Sequence, residues 1–132
     1  MTDRPRVSAA RRLARLTALG VVLLACGRSP APQPAAPRDA GEVAVQVDNH
    51  YAGTLVVYLH SGGTSQRLGE VHFQEVKSFV LQWRRLWDGF YLRAEVIGSS
   101  ERALTDGLQV QPGQMVRWTL TPSLDMSNVA IY

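Results

Sequence analysis

Val43–His60 reads VAVQVDNHYAGTLVVYLH, and its rhythm decides the fold class. Val43, Val45 and Val47 alternate with Ala44, Gln46 and Asp48, the period of two that gives a half-buried strand one apolar and one polar face. Asn49-His50-Tyr51-Ala52-Gly53 interrupts the alternation with turn-forming residues. Thr54–His60 resumes it, with Leu55, Val57 and Leu59 on one side.

The same pattern continues downstream. Ser61-Gly62-Gly63-Thr64-Ser65 reads as a loop and Gln66–Val71 as the returning strand. Lys77–Trp83 puts Phe79, Leu81 and Trp83 on one side. Phe90–Ile97 puts Phe90, Leu92, Ala94 and Val96 on one side, with Tyr91, Arg93 and Glu95 opposite. Leu108–Val110 leads to Gln111-Pro112-Gly113-Gln114, with Pro and Gly where a type II turn takes them. Met115–Thr121 and Asn128–Tyr132 follow. No segment sustains a 3.6-residue period. Seven or eight short strands at regular spacing predict an all-β domain over residues 42–132, a small immunoglobulin-like or transthyretin-like β-sandwich. The likeness is one of architecture, because the Cys…Trp…Cys hallmark of true immunoglobulin domains is absent.

Asp88-Gly89 carries the signature of a two-residue hairpin turn. Such a turn would pair Trp83 with Ala94, but it would also aim Arg85 at the core. Either a bulge turns Arg85 outward or the loop is longer and spans Arg84–Gly89, and the longer loop is the expectation. It lies within the most unusual stretch of the chain, Gln82-Trp83-Arg84-Arg85-Leu86-Trp87-Asp88-Gly89-Phe90-Tyr91. Trp83 and Phe90 follow the core period and are expected to be buried, whereas Leu86 and Trp87 are harder to bury in a loop. An exposed Trp beside Arg is the composition of binding hot spots and of sugar-stacking platforms. The candidate contact surface is thus Arg84, Arg85, Trp87 and Tyr91. The competing reading makes Trp87 a core cap at the open end of the sandwich.

Upstream of the domain the composition changes twice. Residues 1–25 have the three-part form of a secretory signal: five Arg and one Asp, then ten mostly apolar residues, Leu16–Ala25. That run is too short to span a bilayer as a helix, which takes about 20 residues. Leu23-Leu24-Ala25-Cys26 resembles the bacterial lipobox. The resemblance implies diacylglycerol on the Cys26 thiol, cleavage before Cys26 and acylation of the new amino group. Two or more acyl chains anchor a protein stably where one does not. Arg28 stands where enteric inner-membrane lipoproteins carry Asp, so the resemblance implies the periplasmic face of the outer membrane, or the cell surface, rather than the inner membrane. Residues 26–41 form the lipidated Cys and its tether, in which Pro30, Pro32, Pro34 and Pro37 hold the backbone extended. Such a semi-rigid spacer reaches up to roughly 45 Å.

The charge balance changes meaning once the leader is set apart. After Cys26 there are nine basic and ten acidic residues, so the basic character of the whole chain belongs to the leader. A nucleic-acid partner is not expected, since it needs a basic patch on the folded domain. Cys26 is the single cysteine, so no disulfide forms within the chain and the domain must rely on its core.

No catalytic constellation emerges. His50, His60 and His72 invite a zinc site. In the expected hairpin, however, His60 faces Gln66 while His72 lies across from Thr54, placing them about 20 Å apart. No metal or cofactor is expected, and the histidines read as solvated loop residues. His60 and Ser61 are adjacent on a strand and point to opposite faces, so they make a poor base and nucleophile. The acids are scattered, without the facing pair a glycosidase needs. The expectation is a non-enzymatic envelope module with a binding or structural role, its partner an envelope protein or a glycan. A periplasmic small-ligand or glycan binder is the alternative, and a hydrolase a remote one.

Overall fold

β1 (Glu42–Asn49) is the strand around which the first sheet is built. β4 (Val76–Gln82) pairs with it antiparallel on one side, Val43 opposite Leu81 and Val45 opposite Phe79. β7 (Met115–Leu120) pairs with it in parallel on the other, Val45 beside Val116 and Val47 beside Trp118. β8 (Asn128–Ile131) completes the order β4-β1-β7-β8. The second sheet runs β3-β2-β5-β6, from β3 (Thr64–Val71), β2 (Leu55–Ser61), β5 (Phe90–Val96) and β6 (Arg102–Leu104). The structure is a computed structural model that describes residues 41–132. The expected leader (1–25), Cys26 and the tether through residue 40 lie outside the described residues.

The two sheets make a β-sandwich, as the alternation predicts. Val43, Val45, Val47, Val116, Trp118 and Leu120 of the first sheet and Leu55, Val57, Leu59, Leu92 and Ala94 of the second form one buried cluster. Each fully buried Val or Leu contributes about 1.5–3 kcal/mol of transfer free energy. The described helical pieces are single 3-10 turns at Trp83–Arg85 and Leu124–Met126.

Several expectations need correction. β1 is not half-buried: Gln46 and Asp48, on its outward face, are buried too. A strand flanked on both sides is covered by its neighbours' longer side chains, and Arg117 of β7 reaches Asp48 at 3.2 Å. The β2–β3 loop is shorter than Ser61–Ser65. Ser61 pairs with Thr64 and His60 with Ser65, leaving Gly62-Gly63 as a two-residue turn. Both glycines have positive φ, 55° and 75°, as a type I′ turn requires. Leu108–Val110 is not a strand. Leu108 exchanges two hydrogen bonds with Phe90 as an isolated bridge, and the strand that extends this sheet is β6, which has only Ala103 as an inward apolar residue.

Other local readings stand. Gly113 has φ 85°, and Gln114 N–H donates to Gln111 O at 3.2 Å, closing the Pro112-Gly113 turn. Asn49 is fully buried at the Asn49–Gly53 turn. Its Nδ2 donates to Gly53 O at 2.9 Å and Val71 O at 3.0 Å, and its Oδ1 accepts from Tyr51 N–H at 2.9 Å. The buried amide is thereby satisfied, and it ties the turn to the end of β3.

Candidate functional site

The connection between β4 and β5 is not a hairpin loop. β4 belongs to one sheet and β5 to the other, so residues 83–89 carry the chain across the end of the sandwich. The expected longer loop is present, and four contacts hold it. The Trp83 indole N–H donates to Val110 O at 3.0 Å. Leu86 is buried at 1% exposure, in place of the loop exposure expected for it. Ser61 Oγ–H donates to Arg85 O at 2.5 Å, with Gly89 O at 3.3 Å as a second acceptor. Gly89 N–H donates to Leu86 O at 2.9 Å, and its φ of 87° lets the chain turn into β5.

Trp87 projects from this pinned loop with 69% of its surface exposed, so it does not cap the core. Arg84 and Arg85 are exposed beside it, and Arg85 Nη1 lies 3.5 Å from Gln66 Oε1 on β3. Tyr91, the fourth predicted contact residue, sits elsewhere, on the outward face of β5. No ring contact joins it to Trp87 among the described residues. Its neighbour is His60 of β2, whose ring stacks parallel on it with centroids 4.5 Å apart.

His60 is therefore not the solvated loop histidine expected from sequence. Partial burial, and then the nearby Arg93 charge, hold its pKa below 6.5, while Glu95 pulls weakly the other way. Its Nε2 lies 3.4 Å from Ser65 Oγ on β3, whereas the Ser61 hydroxyl is engaged by the loop carbonyls on the other face. The two adjacent residues share no proton. His72 Nδ1 meets Thr54 Oγ1 at 3.0 Å, and His50 Nε2 meets Asp48 Oδ1 at 3.0 Å. The three histidines thus have three separate sets of partners. Among the described residues no group of three His, Cys, Asp or Glu is placed to hold a metal ion.

The outward face of the second sheet continues the pattern of the His60–Tyr91 stack. One pair along, the Arg93 guanidinium carbon lies 4.9 Å from the centre of the Tyr58 ring, a cation–π contact. Two clefts open on Tyr91. One, of about 510 Å³, runs past His60, Gly62, Gly63, Asp88 and Gln109. The other, of about 450 Å³, is bounded by Tyr91, Arg93, Arg102, Leu104, Thr105 and Gly107. Both volumes fall in the range of small-molecule sites. Tyr58, Arg93, Arg102 and Gly107 are not singled out as site residues by the sequence, and His60 is weighed there only as a metal ligand or base and read as a solvated loop residue. The outward positions of Tyr58, His60 and Arg93 are visible in the alternation of β2 and β5, but Arg102 and Gly107 lie in no alternating run, and the β2–β5–β6 adjacency that gathers all five is not legible.

No family model matches the chain, and no curated protein sequence matches it. Among solved structures it is similar to a protein from Eubacterium rectale determined by NMR, with a TM-score of 0.44 and 10% identity over 70% of this chain and 87% of that one. A likeness of that degree transfers neither fold nor chemistry to this chain.

Proposed function

We propose that this chain is a lipid-anchored module of a bacterial cell envelope that binds a partner rather than catalysing a reaction. Acyl chains on Cys26 hold it to the membrane, on the periplasmic face of the outer membrane or at the cell surface. The Pro-rich tether holds the sandwich away from the bilayer. The partner meets the end of the sandwich that carries Arg84, Arg85 and Trp87. The observation behind this reading is Trp87: a large apolar ring, mostly exposed, on a loop fixed by Trp83, Leu86 and Ser61. A rigid exposed aromatic loses little entropy on binding, which is why such residues dominate interfaces.

Two measurements on the full chain expressed in a Gram-negative host test it. Detergent-phase partition should hold the protein in the detergent phase, and Cys26→Ser should release it to the aqueous phase. Crosslinking in intact cells should capture an envelope protein, and Trp87→Ala should lose it while the domain stays folded. Aqueous partition of the unaltered chain would remove the anchor, and capture indifferent to Trp87→Ala would remove the contact surface. A second reading, a saccharide ligand, is favoured by the two clefts that meet at Tyr91.

A further inference from the structure

The groove between β5 and β6 has features that the Trp87 loop does not explain. His60 lies on the β2 side of Tyr91 and covers one ring face, so the uncovered face is turned toward β6. Beside it stands Gly107, one residue from the Phe90–Leu108 bridge. A Cβ added to Gly107 would meet nothing within 4 Å. The space beside the Gly107 backbone, which borders both clefts, is therefore open.

The far wall of the slot is cationic. Arg102 forms no side-chain hydrogen bond or ion pair among the described residues, although Glu95 is its cross-strand neighbour. Arg93 borders the same cleft, with its guanidinium over the Tyr58 ring of β2 and Glu95 Oε1 3.3 Å from its Nε. That Nε is buried without a well-aligned hydrogen bond, and the terminal nitrogens of Arg93 have no hydrogen-bond partner among the described residues. Two guanidinium groups against one carboxylate leave a net positive charge. Guanidinium forks match the planar geometry of a carboxylate. A flat ring face beside them suits the C–H face of a sugar ring.

The second cleft points to the length of the ligand. Tyr91 and Gly107 line both clefts, so the groove continues past Tyr91 into the Gly62-Gly63 side. There Thr64, Ser65, Asp88 and Gln109 offer hydroxyl, carboxylate and amide groups, which suit sugar hydroxyls. An elongated, hydroxyl-rich ligand fits two adjoining clefts better than a single small anion.

We propose that this groove binds an acidic saccharide, one ring lying on the free face of Tyr91, its carboxylate held by Arg93 and Arg102, and the next sugar unit passing Gly107 into the Gly62-Gly63 cleft. The assignment rests on the reading of the domain as a binder but not on the Trp87 surface, because Trp87 lines neither cleft.

The test is calorimetric titration of the full chain in detergent micelles at low salt. Trigalacturonate is the probe, with neutral maltotriose and inorganic phosphate alongside. Saturable binding of trigalacturonate alone is expected. Arg102→Gln should weaken it about 10-fold, the size expected for one charge-assisted hydrogen bond. Gly107→Leu should abolish it by filling the slot, with circular dichroism unchanged. Arg93→Gln serves as an independent variant if Gly107→Leu fails to fold. Trp87→Ala should leave trigalacturonate binding intact even where it abolishes protein capture, which separates this proposal from the contact surface above. Equal affinity for maltotriose, binding of phosphate without the sugar, no binding by the folded chain, or indifference to both Arg variants would each overturn it. Loss on Trp87→Ala with Gly107→Leu unaffected would move the ligand to the loop and overturn the groove.

Discussion

Leu86 is 1% exposed and Trp87, the next residue, 69%, although both are apolar and both lie in the same loop. Leu86→Ala should therefore cost about 2–5 kcal/mol of stability through cavity formation. Trp87→Ala should stay within about 0.5 kcal/mol, as surface changes do. Urea midpoints of the two variants check this, and a large loss in the second would mean that Trp87 is packed. His60 gives a pH prediction. Its pKa is lowered in the folded chain, so below 6.5 the unfolded chain takes up the proton first. Stability should then fall as pH drops from 6.5 toward the depressed folded value, and level off below it. His60→Gln should flatten that part of the urea midpoint against pH, and an unchanged slope would rule His60 out as its source.

At the scale of elements, the Pro112-Gly113 turn is legible in full, because proline and glycine stand where its backbone needs them. Gly62-Gly63 is legible only as part of a longer loop, since the pairing of Ser61 with Thr64 makes the turn tighter than Ser61–Ser65. Since Gly62 has φ 55° and open space at its Cβ position, only backbone conformation limits what replaces it. Gly62→Asn should be tolerated, because Asn visits the left-handed region readily, whereas Gly62→Val should cost about 1–2 kcal/mol. Equal thermal midpoints for the two variants would contradict the type I′ turn. Strand identity was legible where apolar residues alternated over five or more positions, as in β2 and β5. It failed at Arg102–Leu104, where one inward alanine leaves no period, and at Leu108–Val110, where buried apolar residues sit outside any strand.

At the scale of the molecule, the inward faces of both sheets supply the core without a disulfide, and among the described residues the buried cluster runs from Val43 to Leu124. A chain starting at Gly41 should keep the unfolding midpoint of the unlipidated full chain, checked by thermal circular dichroism. A drop of many degrees would show that the segment before it contributes to the fold. The all-β class, the sandwich and the placement of Tyr91, Arg93 and Glu95 on an outward face followed from the sequence, because side-chain alternation is a local property of the strand. The exposure of Trp87 is not legible in the sequence, because it depends on which sheet each neighbouring strand joins. Strand order is set by contacts far apart in sequence, and one chain's local pattern does not encode it. Only the tertiary structure could lay β1 beside β7 in parallel, send residues 83–89 across the end of the sandwich, and bring His60, Tyr91 and Arg93 together from two strands.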